Sequence, residues 1–438
     1  MVLSLTKMHS ALSRLLCFSS LISEVIGAPA DAQGLLASAR KRCTAHDDCW
    51  PSSSEWSRFN STISGRLITS RPPAASCHRP NFDSGACENV KSNWTNGTWR
   101  TDQIGSYSAI IWELGDEQCF PWTDPDESCQ QGLVAAMTVD AREVGDIQAA
   151  VRFAATHDLL LTVKNTGHDH LGRPSGDGSF AIWTHNLRGR EWHSVFFPQN
   201  APSNFGGVSA VTLQAGEEWL DVYRDADVHN VTIAGGSAIS VGAVGGYVLG
   251  GGHSPFSHFY GLAADNLLEA TIVTPCGEHI VLNEYTDPEY FWALRGGRGN
   301  AWGILTSATY KTHPLPTHIQ VAFLQAKMSS ESTYRKVYTE AYTYLRCFLL
   351  GGPVMALGVD DHRLCAITAR AAHLHRSSSG PKVQLQSNRR LMIRAVIIVS
   401  SLDTRTGFEH LLEHSSSIAT QPCNDGSERS IIGVCQLK

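Results

Sequence analysis

Lys164-Asn165-Thr166-Gly167-His168-Asp169-His170-Leu171-Gly172-Arg173 is the stretch that decides how this chain reads. It follows the apolar, β-rich run Leu159-Leu160-Leu161-Thr162-Val163 and leads into Pro174-Ser175-Gly176-Asp177-Gly178-Ser179. A strand that breaks into glycine-rich turns exposes several backbone N–H groups in one concave loop, and such a loop can hold a diphosphate. A histidine inside the loop would lie beside whatever the diphosphate carries. Its imidazole is nucleophilic when neutral, and an ordinary histidine pKa keeps it so near pH 7. His168, Asp169 and His170 could also suggest a metal site, but adjacent residues on a loop rarely converge on one ion, and no metal is expected.

A second glycine-rich block reads Val241-Gly242-Ala243-Val244-Gly245-Gly246-Tyr247-Val248-Leu249-Gly250-Gly251-Gly252-His253-Ser254, followed by Tyr260-Gly261-Leu262-Ala263-Ala264-Asp265-Asn266. A third motif, Asp287-Pro288-Glu289-Tyr290-Phe291-Trp292-Ala293-Leu294-Arg295-Gly296-Gly297, comes before Trp302-Gly303-Ile304. A Rossmann reading fails, because no Gly-x-Gly-x-x-Gly with a downstream acid stands in the right context. A serine-hydrolase reading fails for want of a Gly-x-Ser-x-Gly elbow.

In these three ordered motifs the chain resembles the PCMH-type FAD-binding domain of the vanillyl-alcohol oxidase superfamily. Within it, the chain resembles most the berberine-bridge-enzyme-like group and its secreted fungal members. The resemblance implies a covalent bond from His168 to the flavin. It implies that Asn165, Thr166, Gly167, Asp169, Leu171 and Gly172 line the diphosphate through backbone N–H groups. It implies that Gly245, Gly246, Gly250, Gly251 and Gly252 pass along the ribityl chain and ring. His253 and Ser254 end that block, with either a flavin contact or a structural role. Asp265 and Asn266 would fix the loop beside the cofactor. Bicovalent relatives carry a cysteine before the second block; here Ala238 stands nearest that position, so one tether is expected.

Residues 1–30 read as a secretory signal: Lys7 and Arg14 precede Leu15-Leu16-Cys17-Phe18, and Ala28-Pro29-Ala30 offers a small-residue cleavage site. Cys43, Cys49, Cys77, Cys87, Cys119 and Cys129 cluster in the next segment. An even cluster in loop-rich sequence reads as disulfides in an oxidising compartment. Six cysteines allow 15 pairings; sequence neighbours are the simplest. Sequons at Asn60, Asn93, Asn96 and Asn230 also fit secretion. The net charge of −6 gives no support to nucleic-acid binding, and no apolar run reaches the length of a membrane span.

The fold expected is α+β: a PCMH-type FAD-binding domain of two α/β subdomains over residues 131–315. A Cys-rich extension spans 31–130, with Ser52 and Glu55 at capping-box spacing. Residues 316–438 form a partial or divergent substrate domain. Strands are expected at 136–139, 159–163, 180–184, 208–215, 231–233 and 319–328. Helices are expected at 143–157, 217–229 and 331–349, and a hairpin at 270–282 around Pro275-Cys276-Gly277-Glu278. Beyond Leu357 periodicity is poor, and the return segment that the family brings back to the flavin is not found.

The function this implies is a secreted FAD-dependent oxidoreductase. It would pass hydride from an alcohol, sugar or secondary metabolite to the flavin, with O2 as acceptor. The alternatives are a dehydrogenase using another acceptor, and a non-catalytic or truncated flavin-binding chain. No catalytic base is legible: Tyr334, Tyr338, Tyr342 and Tyr344 lie on the candidate helix, where tyrosines more often pack. The sequence gives no oligomeric state.

Overall fold

The computed structural model describes residues 41–109, 113, 119–299, 302–315 and 335, and the backbone of Ile319–Met328, Leu391–Ser400 and Ser430–Leu437. The leader and the tyrosine-bearing helix candidate lie outside the described residues, apart from Arg335. The chain divides into two compact units, Met1–Leu315 and Pro316–Lys438.

The first unit holds a four-stranded sheet of β1 (Leu67–Thr69), β2 (Met137–Asp140), β3 (Leu161–Lys164) and β4 (Phe180–Trp183), in the order β1-β2-β4-β3. β2 and β3 both pair parallel with β4, and β1 pairs antiparallel with β2. The β-α-β unit expected from the sequence is present. β3 starts two residues late, because the Leu159 N–H closes the preceding helix on Ala154 O and the Leu160 N–H donates to Cys43 O. The connecting helix, Val144–Thr156, buries Ile147, Ala150, Val151 and Ala154, the stripe that its spacing predicts.

The Cys-rich segment is built into this unit. The helix Ser53–Thr62 starts at the expected capping box of Ser52 and Glu55 and buries Trp56 and Phe59. Phe59 stacks on Phe153 at 4.3 Å between ring centroids, and Trp56 sits 5.3 Å from Phe180. One aromatic core therefore joins the extension to the β-α-β unit, and β1 extends its sheet. Truncating such a phenylalanine costs about 3–5 kcal/mol. Three disulfides, Cys43–Cys49, Cys77–Cys87 and Cys119–Cys129, join sequence neighbours. Two short helices, Ser84–Asn93 and Gly97–Thr101, complete the segment.

The second sheet is antiparallel, with the order β5-β6-β10-β8-β9. Its strands are β5 (Arg190–Phe196), β6 (Val208–Gln214), β8 (Leu267–Val273), β9 (His279–Asn283) and β10 (Ile304–Lys311). The expected hairpin is β8–β9. β5 and β10 escaped the sequence reading for opposite reasons. β5 is an edge strand rich in charge. β10 is central and buried, yet carries Thr306, Ser307 and Thr309. Their hydroxyls pair with Thr271 at 2.6 Å and Thr212 at 2.9 Å, which removes the penalty for burying them. The helix Trp219–Val228 and β7 (Val231–Thr232) follow β6, and β7 pairs with β11 (His313–Pro314).

In the second unit, β12 (Ile319–Met328) is the strand expected there. It lies between β13 (Leu391–Ser400) and β14 (Ser430–Leu437), antiparallel to both. Neither outer strand was legible, because the stretch before them lacks periodicity.

Candidate cofactor site

The His168 loop leaves the C-terminal end of β3, the edge at which parallel α/β sheets place ligands. Among the described residues, the backbone N–H groups of Thr166, Gly167, His168, Asp169 and His170 meet no acceptor. Five consecutive unpaired donors in a bent loop are the kind of row that can take an anion. Two of the expected lining N–H groups have partners within the loop. The Leu171 N–H donates to Asp169 Oδ1 at 2.7 Å and the Gly172 N–H to Asp169 O at 3.3 Å. Asp169 folds the end of the loop back on itself, and Arg173 Nε holds its carboxylate at 2.6 Å. Leu171 and Gly172 are thereby spent on the turn, Leu171 is 73% exposed, and His170 supplies a donor that the reading omitted.

Asn165 and Thr166 act as rivets. Asn165 Nδ2 donates to Ala215 O at 2.5 Å and to Val244 O at 3.1 Å, and Thr166 Oγ1 accepts from the Gly242 N–H at 3.2 Å. These bonds draw the second glycine-rich block against the His168 loop. A side chain at Gly242 would put its Cβ 2.5 Å from Asn165 Nδ2, so only glycine allows this approach. Asn165 Oδ1 is buried with no hydrogen-bond partner among the described residues.

Further along, the N–H groups of Gly245 and Gly246 also meet no described acceptor. Gly246 opens the short helix Gly246–Leu249 and is exposed; a Cβ there would meet nothing within 4 Å. The Gly250 and Gly251 N–H groups close that helix on Gly246 O and Val248 O. Gly252 is backed by Tyr247 and Ala263, each 2.7 Å from where its Cβ would stand.

The end of the block is hydrogen-bonded within the protein. Ser254 Oγ accepts from the Phe256 N–H at 3.1 Å, and the Ser254 N–H donates to Ser257 Oγ at 2.8 Å, within the turn that leads into the helix Ser257–Tyr260. His253 is exposed, and its carbonyl accepts from the Tyr247 hydroxyl at 2.8 Å. Asp265 accepts from the Leu262 N–H at 2.8 Å. Buried Asn266 donates to Tyr260 O and Leu262 O, both at 2.8 Å, and pairs with His313 Nε2 at 2.7 Å. Asp265 and Asn266 thus fix the 260–262 loop, and the side chains of Asn266 and Ser254 are already bonded within the protein.

His168 is half-buried, with Nε2 2.9 Å from Ser240 Oγ. Burial, with the nearby His170, lowers its pKa, which favours the neutral ring. The Cys-rich segment packs against the same loop. The Ser108 N–H donates to Gly167 O at 3.0 Å, and a Cβ at Gly97 would stand 3.3 Å from Ser240 Oγ. Beside the loop, fully buried Lys164 donates from Nζ to Gln103 O at 2.7 Å and lies 5.1 Å from the Trp183 ring centre. Burial pulls its pKa from 10.5 to about 7. Neither Lys164 nor Ser240 stood out in the sequence, because their positions depend on residues 61 and 72 places away.

A second polar cluster joins Asp102, His185 and Glu218. His185 Nε2 lies 2.9 Å from Asp102 Oδ1, but Arg188 also stands 3.0 Å from Nε2 and 3.8 Å from Glu218 Oε1. A guanidinium so placed repels a metal ion, and the group reads as a mixed-charge clasp.

The residues present fit FAD. The open row of donors suits the diphosphate, the bare face of Gly246 admits a close cofactor chain, and an imidazole stands within the loop. Residues 135–283 match the FAD binding domain family. The chain is 58% identical over 297 residues to an uncharacterised FAD-linked oxidoreductase of Arthroderma benhamiae, covering 68% of this chain and 53% of that one. It is 35% identical over 325 residues to the VAO-type flavoprotein oxidase VAO615 of Thermothelomyces thermophilus, covering 73% and 55%. The crystal structure of the VAO-type flavoprotein MtVAO615 from Myceliophthora thermophila superposes with a TM-score of 0.70 at 28% identity, over 90% of this chain and 66% of that one. The chain spans about half the length of the curated relatives it matches. Family match, relatives and loop geometry agree with the resemblance carried by the motifs: residues 135–283 form an FAD-binding domain, in a chain similar to flavoproteins of the vanillyl-alcohol oxidase type.

Proposed function

We propose that this chain acts as a secreted FAD-linked oxidoreductase of the berberine-bridge-like kind. It would take hydride from an alcohol, sugar or secondary metabolite onto the flavin and use O2 as acceptor. The observation that carries this reading is the convergence of the two glycine-rich loops on His168, riveted by Asn165 and Thr166. The cofactor supplies the redox chemistry, and the protein positions and tunes it. The oxidase assignment draws support from the relative named as a VAO-type flavoprotein oxidase. Secretion draws support from the three disulfides, which persist in oxidising compartments, and from the exposed sequons at Asn96 and Asn230.

His168 is the proposed tether, and Ala238 leaves no second one in its segment. The test is fluorescence of the denatured chain on a gel under ultraviolet light. Co-migrating flavin is expected, and His168→Ala should abolish it. Wild-type protein that binds FAD but releases all of it on denaturation would overturn the tether; protein that never binds FAD would overturn the cofactor assignment. Stopped-flow reduction by alcohols and sugars tests the rest. Slow bleaching is expected, because no catalytic base is legible in the sequence and the region after residue 330 departs from the family pattern; acid–base catalysis is worth roughly 10²–10⁴-fold.

A further inference from the structure

We propose that Ser240 is a positioning residue that selects Nδ1 of His168 as the atom that bonds the flavin. This rests on the reading that His168 carries FAD covalently.

Ser240 Oγ sits 2.9 Å from Nε2 and is the partner of the ring among the described residues; Nδ1 has none. Ser240 is buried, 8% exposed, and its backbone is pinned. The Val241 N–H donates to Ala238 O at 3.1 Å, closing a turn over 238–241. The Trp219 and Leu220 N–H groups donate to Val241 O at 3.1 Å and Ile239 O at 2.9 Å, which fastens the turn to the start of the helix Trp219–Val228. On the other side, Gly97 of the Cys-rich segment lies so close that even a methyl group would stand 3.3 Å from the hydroxyl. The hydroxyl is therefore held on Nε2 from two directions.

A neutral imidazole carries one proton, and the bond made by one nitrogen sets the role of the other. In the proposed tautomer Ser240 Oγ accepts from Nε2–H, and the lone pair rests on Nδ1. Nδ1 then forms the bond to the 8α-carbon, which gives up one C–H bond. The hydrogen from that carbon and the hydrogen from the ring leave as protons, and the electron pair enters the flavin ring. Those two protons balance it as reduced flavin, and O2 later takes two electrons and two protons to give H2O2. Positive charge develops on the imidazole while the N–C bond forms. The Nε2–H···Oγ bond then becomes charge-assisted and strengthens, so Ser240 also lowers the barrier to the tether.

Three full-length proteins test this, prepared as apoprotein and mixed with FAD: wild type, Ser240→Ala and Ser240→Thr. Expected for Ser240→Ala is FAD affinity within about twofold of wild type, with covalent incorporation slowed by at least about tenfold, the worth of one charge-assisted hydrogen bond expressed in a rate. Ser240→Thr, which keeps the hydroxyl, should restore the rate. Nitrogen-15 NMR of the apoprotein should show His168 protonated at Nε2 in wild type and a mixture of tautomers in Ser240→Ala, a readout that needs no flavin. NMR of the isolated flavin peptide should place the bond on Nδ1. Incorporation in Ser240→Ala as fast as in wild type, or a bond on Nε2, would overturn the role of Ser240 while leaving the tether intact. Wild type that binds FAD and forms no tether would overturn both.

Discussion

Replacing Gly246 by alanine separates cofactor contact from folding. Gly246 is exposed at the start of a short helix, has no positive φ, and a Cβ added there meets no atom within 4 Å. In the apoprotein Gly246→Ala should therefore be harmless, or stabilising by about 0.4–1 kcal/mol through the reduced freedom of the unfolded chain. The proposed flavin chain passes this bare backbone. With the cofactor in place the new methyl would enter occupied space, and overpacking costs typically about 1–3 kcal/mol. At 1.36 kcal/mol per decade that is roughly 5- to 150-fold weaker FAD binding. The assay pairs apoprotein melting with FAD titration by flavin-fluorescence quenching. Gly252→Ala is the contrast, because its Cβ would strike Tyr247 and Ala263 at 2.7 Å and should lower apoprotein stability by itself. If Gly246→Ala binds FAD as tightly as wild type, the cofactor does not run along this segment and its assigned path is wrong.

Lys164 should oppose folding below neutral pH. Its pKa falls from 10.5 to about 7 on burial, so between those values the unfolded chain holds a proton that the native chain lacks, and stability rises with pH. The full penalty, roughly 5 kcal/mol, is present below about pH 7. Lys164→Met removes it at the cost of about 1–3 kcal/mol for leaving Gln103 O unpaired; the variant should be more stable by about 2–4 kcal/mol at pH 6 in denaturant titrations. It should also lose the rise between pH 7 and 10, and an unchanged slope there would refute the assignment. Phe59→Ala should cost about 3–5 kcal/mol and loosen the Cys-rich segment together with the β-α-β unit; separate melting of the two would show that they do not share a core. Protein from a eukaryotic host should shift on deglycosylation and lack residues up to Ala28 or Ala30, whereas an intact Met1 in a cytosolic fraction would count against secretion.

Local chemistry made the cofactor domain legible. The 144–156 stripe, the Ser52–Glu55 box, the glycine-rich runs and the apolar strands each depend on neighbours a few residues away, where helix and strand periods act. The pairing of the three disulfides followed sequence proximity for the same reason. Features built from distant residues could not be read. β10 hides behind buried hydroxyls whose partners lie on other strands. The Cys-rich segment shares the aromatic core of Phe153 and Phe180, since only packing brings Phe59 to them. By itself the sequence held a glycine-rich loop with a histidine inside it and a second glycine-rich block after it, and these motifs carried the resemblance to an FAD-binding domain. Tertiary structure alone decided which N–H groups remain free, that Asn165 and Thr166 rivet the loops together, and that Ser240 caps His168. Those contacts join residues 50 to 79 places apart, and no local pattern encodes which side chains meet once a chain has folded.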